Sequence, residues 1–238
     1  MTRAPDIRDL KESREFYNGL PDDAGQPPVS AEHRRAIGEI VARYGLIEKV
    51  GIHLIHGHST LPENTVLVGT NDLDHYRFVK QTKLDDLDVN NVHGHIFALT
   101  DHGFRPYEYQ TGMLPDLSGI DVDAFLEEMA SFLRENSLQS LVALQILDSN
   151  CKLDMVEFVL PCATIMGRAS DVKGYVKSRV TGWRFEMEDG RLCECKANES
   201  HGQTGGPQGH IIFNEGAPHR KPETIEEALG VLESRGMI

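Results

Sequence analysis

Eleven histidines stand in this 238-residue chain, and seven of them lie between His53 and His102. That is roughly twice average usage. Two His-Gly-His pairs dominate the set, His56-Gly57-His58 and His93-Gly94-His95, with His102 beyond the second. In an extended strand, residues i and i+2 share a face, so each pair turns both imidazoles to one side. Ile52 and Leu54 share the parity of His56 and His58, and Phe97 and Leu99 share that of His93 and His95. Each pair therefore reads as the continuation of an inward apolar stripe, with His53 pointing elsewhere. Two such pairs on neighbouring strands would carry four imidazoles to one point. Imidazole nitrogens suit Fe, Zn, Mn and Cu to different degrees. His56, His58, His93 and His95 are thus the expected ligands of a transition metal ion, with haem iron as the alternative. Glu63, Asp101 and His102 are the nearest groups able to add a ligand, orient an imidazole or move a proton. Two other readings stay open: a metal-free histidine-lined pocket, and histidines that are hydrogen-bonded core residues with no shared role.

The first cluster resembles part of the cupin signature, in which a Gly, a His-x-His, a Glu and a Gly follow one another and a later His faces them. Gly51, His56, His58, Glu63 and Gly69 stand in that order, and Pro207, Gly209, His210 and Asn214 resemble the second half. The interval between the halves is far longer than the cupin pattern, and the likeness implies site geometry without assigning a family. Cys193-x-Cys195 would place two thiols on one strand face, a zinc half-site that His201 or His210 could complete. Tyr107 and Tyr109 share a strand face, and Trp183 reads as a packing anchor. The chain contains no G-x-S-x-G elbow, P-loop, H-E-x-x-H or EF-hand loop.

These side chains need a scaffold. Ser30 caps an amphipathic helix over 31–45, ended by Gly45, and Asp121 caps a second at about 121–136. Pro222 reads as the first residue of a C-terminal helix over 222–236. Strand candidates are 50–58, 65–70, 76–79, 92–100, 107–111, 141–147, 155–160, 163–167, 177–187, 192–196 and 210–214. Residues 50–58 and 65–70 read as a hairpin, and so do the strands flanking Asp189-Gly190. The polar, Gly-rich stretch 198–209 reads as a loop. The expected architecture is α+β: a curved, mostly antiparallel sheet or barrel-like core with about four flanking helices. It is expected to form a single domain over 1–238, with a helical segment over 1–48, a β-rich core over 49–215 and the C-terminal helix.

Composition bounds the partners. A formal net charge of −13 disfavours nucleic acid and anionic membranes, which recruit clustered Lys and Arg. The N-terminal residues have no apolar run of signal-peptide type, so a cytoplasmic setting with reduced cysteines is expected, compatible with a homo-oligomer. The function expected from the residues is a metal-dependent enzyme (an oxygenase, lyase or isomerase) acting on a small organic molecule. The alternatives are a metal-free acid–base enzyme and a non-enzymatic small-molecule or haem-binding domain.

Overall fold

A computed structural model describes residues 5–71, 73–113, 115–148, 152–204, 212 and 220–238, without the side chains of residues 7, 193 and 194. The fold is α+β: ten strands close into a mixed, mostly antiparallel barrel that carries four α-helices. In chain order these are α1 (Ile7–Asn18), α2 (Ala31–Arg43), β1 (Val50–Leu54), β2 (Thr65–Thr70), β3 (Tyr76–Lys83), β4 (Val92–Thr100), β5 (Gly103–Thr111), α3 (Val122–Glu135), β6 (Val142–Ile146), β7 (Met155–Leu160), β8 (Ala163–Arg168), β9 (Val176–Glu188), β10 (Arg191–Gln203) and α4 (Ile225–Ser234). Around the barrel the order is β1-β6-β4-β5-β2-β3-β8-β7-β10-β9, and a β1–β9 pairing closes it. Two contacts are parallel, β2 with β5 and β7 with β10.

The helix signals act as expected at two ends. Ser30 Oγ accepts the His33 N–H and Asp121 Oδ1 accepts the Ala124 N–H, each satisfying an N–H that the first turn leaves unpaired. Asp189 and Gly190 both take positive φ, 49° and 74°, as the tight β9–β10 turn requires. Three readings are corrected. Helix α4 starts at Ile225 under a Thr224 cap, three residues after Pro222. Strand β1 does not form a hairpin with β2, because β6 and β9 occupy its two edges. Residues 198–203 belong to β10 instead of a loop. Of the proposed strand at 210–214 only Ile212 is described, buried and bonded through its N–H to the Val159 carbonyl; the residues of the second cupin-like half lie outside the described residues.

The helices cover the barrel from outside. Ile52, Leu54, Phe97, Leu99, Val142 and Leu144 pack beneath α2 and α3 in one core, which also takes in Trp183. A second core joins Val156, Phe158 and Ile165 to Ile225, Ala228, Val231 and Leu232 of α4. Leu10 of α1 packs on Val66, Val68 and Tyr109. The apolar stripe of β1 therefore faces helices, and the opposite parity faces the lumen. This inverts the expected orientation: His53, the histidine set aside on parity, is the one β1 turns inward.

Candidate metal centre

Strand β1 ends at Leu54, so strand alternation does not govern His56 or His58. Both ride on the following connection, held by backbone bonds from Ile55 N–H to the Leu141 carbonyl and from Gly57 N–H to the Pro21 carbonyl. The His58 N–H donates to the Tyr17 hydroxyl of α1 at 3.0 Å. This connection reaches across to β7 and β10, where Glu157 and His201 are register partners in the parallel pair.

The side chains of His56, His58, His201 and Glu157 thus meet. One donor atom from each lies within 4.8 Å of every other. His56 Nε2 stands 3.2 Å from His58 Nε2 and 3.1 Å from His201 Nε2. Glu157 Oε2 stands 3.0 Å from His201 Nε2 and 3.5 Å from His58 Nε2. Metal–N and metal–O bonds of about 2.0–2.2 Å imply ligand–ligand edges of roughly 3.0 Å at octahedral and 3.5 Å at tetrahedral angles. The observed separations span that range.

Neighbouring groups set the orientation of the imidazoles. His56 Nδ1 lies 2.8 Å from the Leu54 carbonyl. A carbonyl only accepts, so Nδ1 carries the proton and Nε2 offers its lone pair to the centre. His201 Nδ1 lies 3.0 Å from Asp23 Oδ2, supplied by a 3-10 turn at Asp23–Gly25. Such outer partners fix ring orientation and raise ligand basicity. Burial, followed by the charges of His58, His53 and His201, pushes His56 well below its ordinary pKa, so it stands neutral. Burial also opposes ionisation of Glu157, but the His58 charge and hydrogen bonds from His201 and His58 outweigh it and hold the carboxyl well below the usual range. Burial likewise raises Asp23, and the bond and charge of His201 win and lower it. Two buried carboxylates therefore face an imidazole cluster. A divalent cation held there would supply positive charge to balance them.

A second buried chain of polar groups runs behind the cluster. His53 stacks on His56 with centroids 5.2 Å apart, and its Nε2 lies 3.1 Å from Glu199 Oε2. Gln145 Nε2 donates to Glu199 Oε1 at 2.5 Å, and Asn198 Nδ2 donates to Gln145 Oε1 at 3.1 Å. His95 belongs to this chain, with Nε2 3.4 Å from Gln145 Nε2. Burial, reinforced by the Arg77 charge, pushes His95 well below its ordinary pKa. His93 is buried too, its Nδ1 against the Gly94 carbonyl at 2.9 Å.

The expected four-imidazole set is therefore not brought together. His56 and His58 enter the cluster, while His93 and His95 sit apart from it in β4, where the pairing with β5 shifts register on both sides of Ile96. Glu63 is exposed in the turn before β2, and Asp101 and His102 are exposed between β4 and β5. None of the three joins the cluster. Cys195 packs against the outer core beneath α2, on the other side of the wall from His201. The carboxylate that does join, Glu157, had a readable signal: it is a lone acid in the apolar strand Met155–Leu160. His201 has no such signal, its spacing suggesting only a partner for Cys193 and Cys195.

Comparisons with protein-family models, with curated proteins and with solved structures find no match to this chain. The site is read from its own geometry.

Proposed function

We propose that this chain is a metal-dependent enzyme acting on a small organic molecule, with His56, His58, His201 and Glu157 holding a transition metal ion. The observation that carries the reading is the convergence of three imidazoles and one carboxylate, with one donor atom of each within 4.8 Å of every other and four of the contacts at 3.0–3.5 Å. An all-nitrogen-and-oxygen donor set suits Mn, Fe, Zn or Cu(II), and it lacks the thiolates common in closed structural zinc sites. Haem iron fits poorly, since a porphyrin leaves at most two axial positions and four protein donors converge here. A six-coordinate ion held by these four would keep two positions for water or substrate, and would act there as a Lewis acid. His58 is the most open of the ligands whose side chains are ion-paired, at 10 % exposure against 1 % for His201 and 6 % for Glu157. Substrate would approach from its side.

The test is elemental analysis of the purified protein, followed by reconstitution with Mn, Fe, Zn and Cu. About one ion per chain is expected, lost in the His56→Ala, His58→Ala double variant while its circular dichroism spectrum stays native. A protein that takes up none of these ions stoichiometrically would overturn the reading. A thermal-shift screen of small organic acids and alcohols on loaded protein then addresses the enzymatic part. Ligands whose stabilisation vanishes in the double variant define the substrate class. A metal-free acid–base reading rests on the two buried histidine–carboxylate pairs, Asp23–His201 and Glu199–His53. Ligand stabilisation that survives chelation would favour it.

A further inference from the structure

An irregular pairing between β4 and β5 re-aims Tyr107. Its neighbours in β5 pair as Glu108 with Ile96 and Pro106 with Phe97, which leaves Tyr107 as the unpaired residue at a register shift. Tyr109, two positions on, packs outward beneath α1 with Leu10. Regular alternation would send Tyr107 the same way. Instead it lies among Leu67, Val79, Ile96 and Ala98 in the lumen. Bulges that redirect a side chain recur beside functional sites.

The hydroxyl of Tyr107 is buried, with the residue 1 % exposed, and it has no hydrogen-bond partner among the described residues. A phenol O–H left unpaired in an apolar wall is costly unless something occupies the space in front of it. That space exists. Tyr107 lines a cavity whose wall also includes His56, His58 and Glu157, with a free volume of about 30 Å³. At roughly 10–15 Å³ per water, this holds about two water-sized bodies.

We propose that the Tyr107 hydroxyl is the hydrogen-bond donor of a binding site for a compact anion of two or three heavy atoms, seated between it and the metal centre. The proposal rests on the metal reading and deepens it: the ion supplies the positive charge, and Tyr107 recognises the far atom of the ligand. Burial raises the phenol well above its ordinary pKa, so the group stays a donor through the neutral range. Leu67, Val79 and Ile96 limit the ligand's length.

The probe is azide, titrated into cobalt(II)-loaded protein and followed by visible absorption. Azide is expected to bind the wild type, and Tyr107→Phe is expected to weaken it roughly tenfold or more, as loss of a charge-assisted hydrogen bond implies. Cobalt stoichiometry should stay unchanged in the variant. Equal azide affinity in the two proteins overturns the proposal and leaves the metal reading intact, whereas failure to take up cobalt and each of Mn, Fe, Zn and Cu overturns both. If Tyr107→Phe does not fold, the crystal structure of the wild-type azide complex decides. A terminal nitrogen within about 3.2 Å of Tyr107 Oη supports the site, and an azide elsewhere, or none, sinks it.

Discussion

Asp23 touches the centre only through His201, whose Nδ1 lies 3.0 Å from its Oδ2. Its role is to hold one ring with Nε2 aimed inward, and it comes from a short turn far from β10 in sequence. Replacing it by asparagine keeps the size and removes the charge that raises ligand basicity. Asp23→Asn should weaken metal binding by roughly 10–100-fold with little change in the far-ultraviolet spectrum, measured by competition against a chromogenic chelator. An unchanged affinity would make the contact incidental. At this scale the sequence was half legible. The His56-x-His58 pair announced itself by spacing, but a single aspartate in a Pro- and Gly-rich stretch has no pattern, and neither does one histidine 143 positions after His58. His201 meets Glu157 through the β7–β10 register and Asp23 through a side-chain contact, and spacing along the chain can express neither.

Strand β4 explains why the second His-Gly-His pair was misplaced. Simple alternation put His93, His95, Phe97 and Leu99 on one face. The register shift between Gly94 and Ile96, where His95 is the extra residue of β4, breaks that count, so Phe97 and Leu99 pack under the helices while His95 joins the buried polar chain. Gly94 makes the irregularity sterically feasible: a Cβ there would stand 2.4 Å from Phe97 Cζ and 2.8 Å from Pro106 Cβ. Gly94→Val should therefore destabilise the protein by about 1–3 kcal/mol, the usual cost of overpacking, read from urea unfolding midpoints. A midpoint equal to wild type would mean that the strand relaxes freely there. Helices α2 and α3 were legible because caps and 3.6-residue periodicity are local. The end of β10 was not. Its residues Asn198, Glu199 and His201 line the lumen, and a strand whose buried face is polar looks like a loop by composition.

The stability of the molecule as a whole should record the cluster's charges. In protein stripped of metal, burial lowers the basicity of His201, but hydrogen bonds and charges from Asp23 and Glu157 overcome it and raise the pKa from 6.5 to about 10. Stabilisation from that group is complete below pH 6.5 and is lost as pH rises towards 10. Glu157 and Asp23 are held below their ordinary values of 4.5 and 3.8, so their contribution is present above those values and lost as pH falls beneath them. Buried His56 and His95, held well below 6.5, stay neutral while the unfolded chain takes up protons there, so they cost stability as pH falls below 6.5. The metal-free protein should accordingly be most stable near pH 6.5 and decline on both sides, as scanning calorimetry would record. A flat profile from 6.5 to 10 would contradict the charge assignment. The same long-range assembly has a consequence for how an ion is acquired. The four donors are spread from His56 to His201, and the last arrives only when β10 zips along β7. A polypeptide still being synthesised, or cut short before that point, owns His56, His58 and Glu157 but lacks the fourth donor. An ion held by these four donors would then be loaded late in maturation, chosen by a finished vessel of fixed shape from whatever its surroundings offer, instead of being seized by the tightest-binding ion during synthesis.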